Sequence, residues 1–452
     1  MNIQLIRKYN VPGPRYTSYP TVPYWNEVPP TEEEWKREVK GAFDDSQEQG
    51  ISLYLHLPFC EKLCTYCGCN KRITINHTVE DPYITALLQE WALYLALFGR
   101  KPLIRELHLG GGTPTFFSPH NLRRLIKGIT AGATVAEGAE FSFEGHPNNT
   151  TEQHLQTLYD LGFRRVSFGI QDFDPQVQAI INRIQPYENV LRVTEQARRI
   201  GYTSINYDLI YGLPLQTAKS VGKTIAMVNT LRPDRIAFYS YAHVPWTSPG
   251  QRRYTEADLP SDEVKRGLYE MGKEMFEQQG YTEIGMDHFA LADDALSIAS
   301  RQGNLHRNFM GYSTSQTRLM VGLGCSSISD TWTAFGQNLK KVEDYQDAVK
   351  EGRFPIFKGH LLNREDLVLR QHILNLMCRL QTKWEGSEQK TFSLLDAKAR
   401  LSELAEDGLI RIEGDSVQVL EHAKPFVRNV CMALDARLWR NKPTTQIFSK
   451  TI

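Results

Sequence analysis

The sequence predicts an α/β protein built on an incomplete (β/α)6 TIM-like barrel. An extended N-terminal arm precedes the barrel, and a mostly helical, winged-helix-like C-terminal domain follows it. Three observations predict this. Short apolar strands alternate with amphipathic helices six times between residues 51 and 242, the pattern of parallel strands joined by right-handed crossovers. Six such units suit an open barrel better than a closed eight-stranded one, and sulfur-bearing and polar residues fall at strand C-terminal ends, where barrels keep their working groups. Beyond residue 360 the pattern changes to helices over 363–380 and 393–407, a hairpin in LIRIEGDSVQVL that turns at Gly414 and Asp415, and a helix over 425–438. The expected division is therefore 1–35, 36–355 and 356–452.

Within the arm, VPGPRYTSYPTVPYW holds four prolines and three tyrosines. It reads either as a segment packed on the body or as a cover, through Arg15, Tyr16 and Tyr19, for a flat anionic ligand. The first strand is ISLYLHL, followed by a cysteine-rich loop and a helix over 81–98. IRELHLGGG precedes a helix over 119–128, and EFSFE precedes one over 151–161. RRVSFGIQ leads into helical sequence through Asn182 and again over 189–200, and SINYDLIYGLP and DRIAFYSYAH complete the six. Further on, 262–280 reads as a helix, YTEIGMDHFA as one strand and VGLGCSSIS, 321–329, as a glycine-rich loop.

The loop LPFCEKLCTYCGCN carries Cys60, Cys64, Cys67 and Cys69, the first three spaced C-x3-C-x2-C. Iron–sulfur clusters are held by cysteine thiolates, usually four. Three on one loop leave an iron open to bind and reduce a ligand; a fourth, Cys69, could instead close the site. Tyr66 could shield a cluster or stack on a flat ligand. A structural zinc site prefers two separated cysteine pairs, and Cys325, Cys378 and Cys431 supply no second pair. A disulfide framework belongs to small secreted chains.

Other candidates lie at strand ends. Gly110–Thr115, GGGTPT, offers bare backbone amides to a carboxylate or amine. Glu144 ends the third strand, Gln171 the fourth, Asp208 falls in the fifth, and Tyr239 and Ala242 lie near the end of the sixth. Arg183 could clamp a ligand carboxylate bidentately or serve a surface salt bridge. Cys325 reads as packing. His288, His306 and Arg307 could meet a large acidic ligand or be ordinary core and surface residues.

The 452 residues balance 52 basic against 52 acidic side chains, so no net field draws nucleic acid or an anionic membrane. Helix 393–407 is acidic on balance, unlike a DNA-reading helix. No apolar run reaches the roughly 18 residues of a bilayer span. MNIQLIRKYN lacks a signal-peptide core, which points to the cytoplasm.

PGPRYTSYPT, LHLPFCEKLCTYCGCN, LHLGGGTPT, FGIQDF, NYDLIYGLP, GMDHFA, LHRNF and RNVCM together resemble the radical S-adenosylmethionine enzymes, and within them the oxygen-independent coproporphyrinogen III oxidase family. The resemblance implies a 4Fe–4S cluster on Cys60, Cys64 and Cys67 and two S-adenosylmethionine molecules. By motif, Tyr54, Gly111, Glu144 and Ile328 would bind the first. Tyr66, Gly112, Thr113, Gln171, Arg183, Asp208 and Ala242 would bind the second. The implied reaction is radical decarboxylation of two propionates of coproporphyrinogen III to vinyl groups in haem synthesis. It would be fed by a reductant protein such as flavodoxin or ferredoxin, in a monomer. Cys69 belongs to the family's CGCN signature without being a cluster ligand. EGHPNN and Met310 depart from forms found in some members. Arg15, Lys71, Arg72, His288, His306 and Arg307 are candidates for gripping propionates. The alternatives are a haem-binding chaperone of the same superfamily and a porphyrin-directed radical methyltransferase.

Overall fold

The computed structural model describes residues 3–246 and 248–451. Its centre is a twelve-stranded sheet. Strands β1 (Ile51–Leu57), β2 (Leu103–Gly111), β3 (Thr134–Gly145), β4 (Arg165–Gln171), β5 (Ser204–Tyr211) and β6 (Arg235–Ser240) lie in that order and are all parallel. The remaining strands are β7 (Tyr281–Gly285), β8 (His288–Leu291), β9 (Met320–Leu323), β10 (Ile328–Asp330), β11 (Ala334–Asn338) and β12 (Ile356–Leu361). The full order is β12-β11-β10-β9-β1-β2-β3-β4-β5-β6-β8-β7.

The six central strands alternate in character. Leu53, Leu55 and Leu57 of β1, Phe141 and Phe143 of β3, Val166, Phe168 and Ile170 of β4, and Ile205, Tyr207 and Leu209 of β5 are buried in the main core. The intervening positions are polar: Ser142 and Glu144, Arg165 and Ser167, Ser204, Asn206 and Asp208. Parallel strands covered on both faces normally read as unbroken apolar runs, so period-two polarity marks a hydrated inner face. Helices clothe the outer face, their starts fixed by side-chain caps. Thr31 and Glu34 form a capping box for Glu32–Asp45, Ser118 caps Pro119–Ala131, and Thr217 caps Ala218–Leu231.

A second core gathers Leu369, Ile373 and Leu376 of helix Arg364–Arg379, Leu401 and Leu404 of helix Phe392–Glu406, and Val417 and Val419 of the small sheet Gln381–Lys383, Ser416–Val419, Ile410–Glu413. Ile6, Tyr16 and Tyr19 from the N-terminus join it, and the Tyr16 hydroxyl donates to Asp435 at 3.0 Å.

Four sequence expectations change. The arm is not wholly extended: it opens with helix Ile3–Tyr9 and includes a 3-10 turn, Val22–Tyr24. YTEIGMDHFA is a hairpin, β7 and β8, because Met286 turns at φ 45°. The stretch 321–329 begins as a strand, since Met320–Leu323 is fully buried and pairs parallel with β1. Gly322 there serves close packing, for a Cβ would come 2.5 Å from the Ile328 carbonyl oxygen. The final helix is broken into Glu421–Phe426, which contains Pro425, then Val427–Leu434 and Ala436–Arg440, the last restarted by Asp435 capping the Leu438 amide.

Candidate active site

The loop after β1 is tied down from several sides. The Arg72 amide donates to the Pro58 carbonyl at 2.8 Å and that of Thr74 to the Cys60 carbonyl at 2.9 Å, which makes the short ladder Phe59–Cys60 with Arg72–Ile73. The Thr65 amide donates to the Ile181 carbonyl at 3.0 Å, and the Asn182 side chain to that of Leu63 at 2.7 Å. Lys71 Nζ bridges the Cys67 and Cys69 carbonyls at 3.0 and 3.3 Å. Cys60, Cys64 and Cys67 are free and half-buried.

All three line one end of a cavity of about 550 Å3. The Cys60 sulfur meets Thr113 Oγ1 at 3.3 Å, and Arg183 Nη1 donates to the Cys64 sulfur at 3.5 Å. Arg183 Nη2 donates to the Gly169 carbonyl at 2.5 Å, while its Nε is buried without a partner. A hydrogen bond from Cys69 pulls the Cys67 thiol below its ordinary value, and burial pushes Cys60 up to about 11. Three soft sulfur donors at one cavity end suit an iron–sulfur cluster. Among the described residues no three His, Cys, Asp or Glu side chains meet tightly enough to share a single ion; a cluster asks one thiolate per iron instead.

The glycine run has a packing role as well as a place on the cavity wall. Gly111 takes φ 112°, and a Cβ there would lie 2.6 Å from the His56 ring. At Gly112 it would lie 2.6 Å from the Pro58 carbonyl. Both residues lack a side chain because β1 and its loop press against them, although both also line the cavity. The Gly111 amide donates to Glu144 at 3.3 Å, and His108 reaches the same carboxylate at 3.5 Å. Asp208, deeper in, accepts from Ser167 at 2.9 Å and Asn206 at 2.8 Å. Burial, then the nearby Glu144 charge, raises its carboxyl to about 7.

Residues 54–228 match the radical SAM superfamily. The chain is 38% identical to the oxygen-independent coproporphyrinogen III oxidase of Escherichia coli (strain K12) over 457 residues, covering 100% of this chain and 98% of the relative. The enzyme of that name from Helicobacter pylori (strain 26695) is 37% identical, covering 100% and 99%. The chain belongs to the oxygen-independent coproporphyrinogen III oxidase family. The solved structure of the Escherichia coli coproporphyrinogen III oxidase, HemN, aligns with a TM-score of 0.90 at 36% identity, covering 96% of this chain and 98% of that one.

Of the residues the sequence singled out within this family, Cys60, Cys64, Tyr66, Cys67, Gly111, Gly112, Thr113, Glu144, Gln171, Arg183 and Asp208 all line the one cavity. Tyr54 lies just behind it, stacked on His108 with ring centroids 6.0 Å apart. Ile328 packs over Gly322, the partner of Tyr54 across the β1–β9 ladder. Ala242 does not line the cavity; its carbonyl accepts from Gln251, which also holds the Tyr66 carbonyl.

The propionate candidates separate. His288 faces the cavity, Lys71 braces the loop as described, Arg72 pairs with Glu343 at 2.5 Å, and Arg15 pairs with Asp287 at 3.3 Å. His306 pairs with Ser313 in a side hairpin, and Arg307 packs over the Tyr312 ring at 4.6 Å. Both departures from the family pattern, Met310 and the His146 of EGHPNN, line the cavity. Sequence reasoning missed Arg165, Asn206 and Arg235 on the same wall; the signal was the polar alternation within strands that open with basic or hydroxyl residues.

Proposed function

We propose that this chain carries out oxygen-independent oxidative decarboxylation of two propionate side chains of coproporphyrinogen III, giving the vinyl groups of protoporphyrinogen IX in haem synthesis. The observation that carries this reading is identity of 38% along essentially the whole length of a relative named for that activity. Cys60, Cys64 and Cys67 are the residues to hold a 4Fe–4S cluster. When bound, that cluster supplies the electron for reductive cleavage of S-adenosylmethionine.

The protein's part is to bind, orient and exclude water. Tyr54, Gly111, Glu144 and Ile328 are assigned to one S-adenosylmethionine. Tyr66, Gly112, Thr113, Gln171, Arg183, Asp208 and Ala242 are assigned to a second. The common cavity, the unpartnered Nε–H donor of Arg183 and the carboxyl of Asp208 support an occupant beside the thiols that carries both a hydrogen-bond acceptor and a cationic centre. A sulfonium near Asp208 would favour its ionised form.

The same reading treats the central sheet as an incomplete (β/α)6 barrel and residues 356–452 as a winged-helix-like lid, with 1–35 as an arm and 36–355 as the catalytic body. Supporting it are helix Phe392–Glu406 followed by the hairpin Ile410–Val419, and the two separate cores. A low-potential reductant protein such as flavodoxin or ferredoxin would donate electrons to a monomer in the cytoplasm. No helix among the described residues is long and apolar enough to cross a membrane.

Anaerobic incubation of the iron-reconstituted protein with coproporphyrinogen III, S-adenosylmethionine and a low-potential reductant should release carbon dioxide. Cys64→Ser should abolish both the release and the broad visible absorbance of the iron. Turnover that survives this substitution refutes the reading.

A further inference from the structure

The assigned cofactor residues crowd one end of the cavity, and the opposite wall carries hydrogen-bond donors that nothing among the described residues accepts. Arg235 opens β6 with only 4% of its side chain exposed. Its Nε donates to both carboxylate oxygens of Asp294, at 2.8 and 2.7 Å, while Nη1 and Nη2 are buried with no partner. A guanidinium presents its donors in a fixed fork, so the outer edge of this one is unused. Asp294 is itself held, capping the Leu296 amide at 2.8 Å and accepting from Ser204 at 3.2 Å. That fixes the fork, which lines the cavity beside Arg165 and Ser204. The Asp208 Cα is level with Ala237, so Arg235 sits two residues, about 7 Å, deeper in the lumen.

A second unsatisfied donor or acceptor stands next to it. His288 of β8 is the register partner of Ala237, lines the same cavity, and has a buried Nδ1 without a partner. Its ring is edge-on to Tyr239 and Tyr312, at 5.7 and 5.3 Å. Burial and then the charges of Arg307, Arg15 and Arg235 hold its imidazole down at about 3, so at neutral pH it is an uncharged hydrogen-bonding group among cations. The acidic groups that answer these cations are already engaged, Asp287 by Arg15 and Asp294 by Arg235 through Nε alone. Buried charge is normally paired or meets a ligand, and a planar fork with two free ends matches a carboxylate.

We infer that Arg235, with His288 beside it, forms a carboxylate-binding subsite on the inner wall of the sheet that holds a substrate propionate the reaction leaves intact. This rests on the proposed function, whose substrate carries four propionates and loses two, so two carboxylates must be placed away from the reacting carbon. Arg235 is then a positioning residue for the tetrapyrrole, and Asp294 positions Arg235. The other carboxylate that could reach the lumen is the methionyl group of S-adenosylmethionine, and the test separates the two.

The probes are coproporphyrin III, the stable oxidised form of the substrate, and its uncharged tetra-amide. Both are titrated anaerobically into the cluster-loaded protein by fluorescence quenching, and S-adenosylmethionine is measured by equilibrium dialysis. A charge-assisted bidentate contact predicts a 10- to 100-fold weaker Kd for the acid in Arg235→Gln. Amide and S-adenosylmethionine binding should stay within twofold, and Arg235→Lys should fall between. Because Arg235→Gln strands Asp294, the paired variant Arg235→Met with Asp294→Asn is measured alongside, and the acid-to-amide ratio within each variant cancels any loss of folded protein. Equal effects on acid and amide, or none on either, overturn the subsite. Weakened S-adenosylmethionine with unchanged porphyrin reassigns it to the methionyl carboxylate and overturns the propionate. Wild-type protein that binds neither porphyrin refutes the proposed function itself, apart from the subsite.

Discussion

The two ends of the cavity are built by opposite means. At the cysteine end, the sulfur donors are contiguous in sequence and the loop that carries them is braced through its backbone. Lys71, Asn182 and Thr65 hold the loop by its own carbonyls and amides, and Gly111 and Gly112 are pressed against it. At the far end, Arg235 and His288 come from two strands and leave polar atoms open. A group bound through metal–sulfur bonds needs its donors held in place by an already folded loop. A polar organic ligand needs donors left unsatisfied until it arrives. The contrast between a braced end and a waiting end can be broken at three points.

The largest effect belongs to the braced end. Gly111→Ala forces a left-handed backbone, roughly 1–2 kcal/mol, and drives a methyl into the His56 ring, roughly 1–3 kcal/mol for overpacking. His56 cannot swing aside freely, since Nε2 meets the Asn70 carbonyl at 3.0 Å and Nδ1 the Tyr54 hydroxyl at 3.2 Å. Urea unfolding should show a loss of about 3 kcal/mol. Gly414→Ala, also at positive φ but with nothing within 4 Å, should lose about 1 kcal/mol. Equal losses would mean that the glycine run is merely a turn.

The next effect tests how the cavity between the two ends treats a carboxylate charge. Asp208 has its carboxyl raised to about 7 by burial and by Glu144, against about 3.9 in an unfolded chain. The folded protein therefore keeps that proton longer than the unfolded one. The stability it contributes is fully present below pH 4 and is lost as pH rises through about 7. In the cofactor-free protein, Asp208→Asn should add on the order of 2–4 kcal/mol at pH 8 and almost nothing at pH 4, as read from urea midpoints. A pH-independent difference would show that the lumen does not penalise the charge.

The same contrast explains what was legible in the sequence. The cysteine end was, because C-x3-C-x2-C and GGGTPT are local patterns and adjacent strand ends bring them together. The six-fold alternation of strands and helices was legible for a similar reason, since each unit is short and capped within itself. Arg235 and Asn206 were not singled out: one polar residue in a strand says little until four strands set such residues side by side. Strand β9 was hidden because its glycine imitates a loop, when the close approach of Ile328 is what requires it. The hairpin at Met286 was hidden because no glycine occupies the positive-φ position itself.

The smallest effect separates a cluster ligand from its neighbour. Cys69 is more exposed than Cys60, Cys64 and Cys67 and hydrogen-bonds Cys67. If it closed a fourth corner, Cys69→Ser would strip iron as Cys64→Ser does. If it only supports its neighbour, a serine hydroxyl can replace most of that hydrogen bond, and the change is worth about 1 kcal/mol. Iron and sulfide per chain should then equal the wild type after anaerobic reconstitution, with the cluster lost only a few-fold faster to a chelator. Iron content halved or worse would move Cys69 into the ligand set and remove the open coordination position from which the proposed function begins.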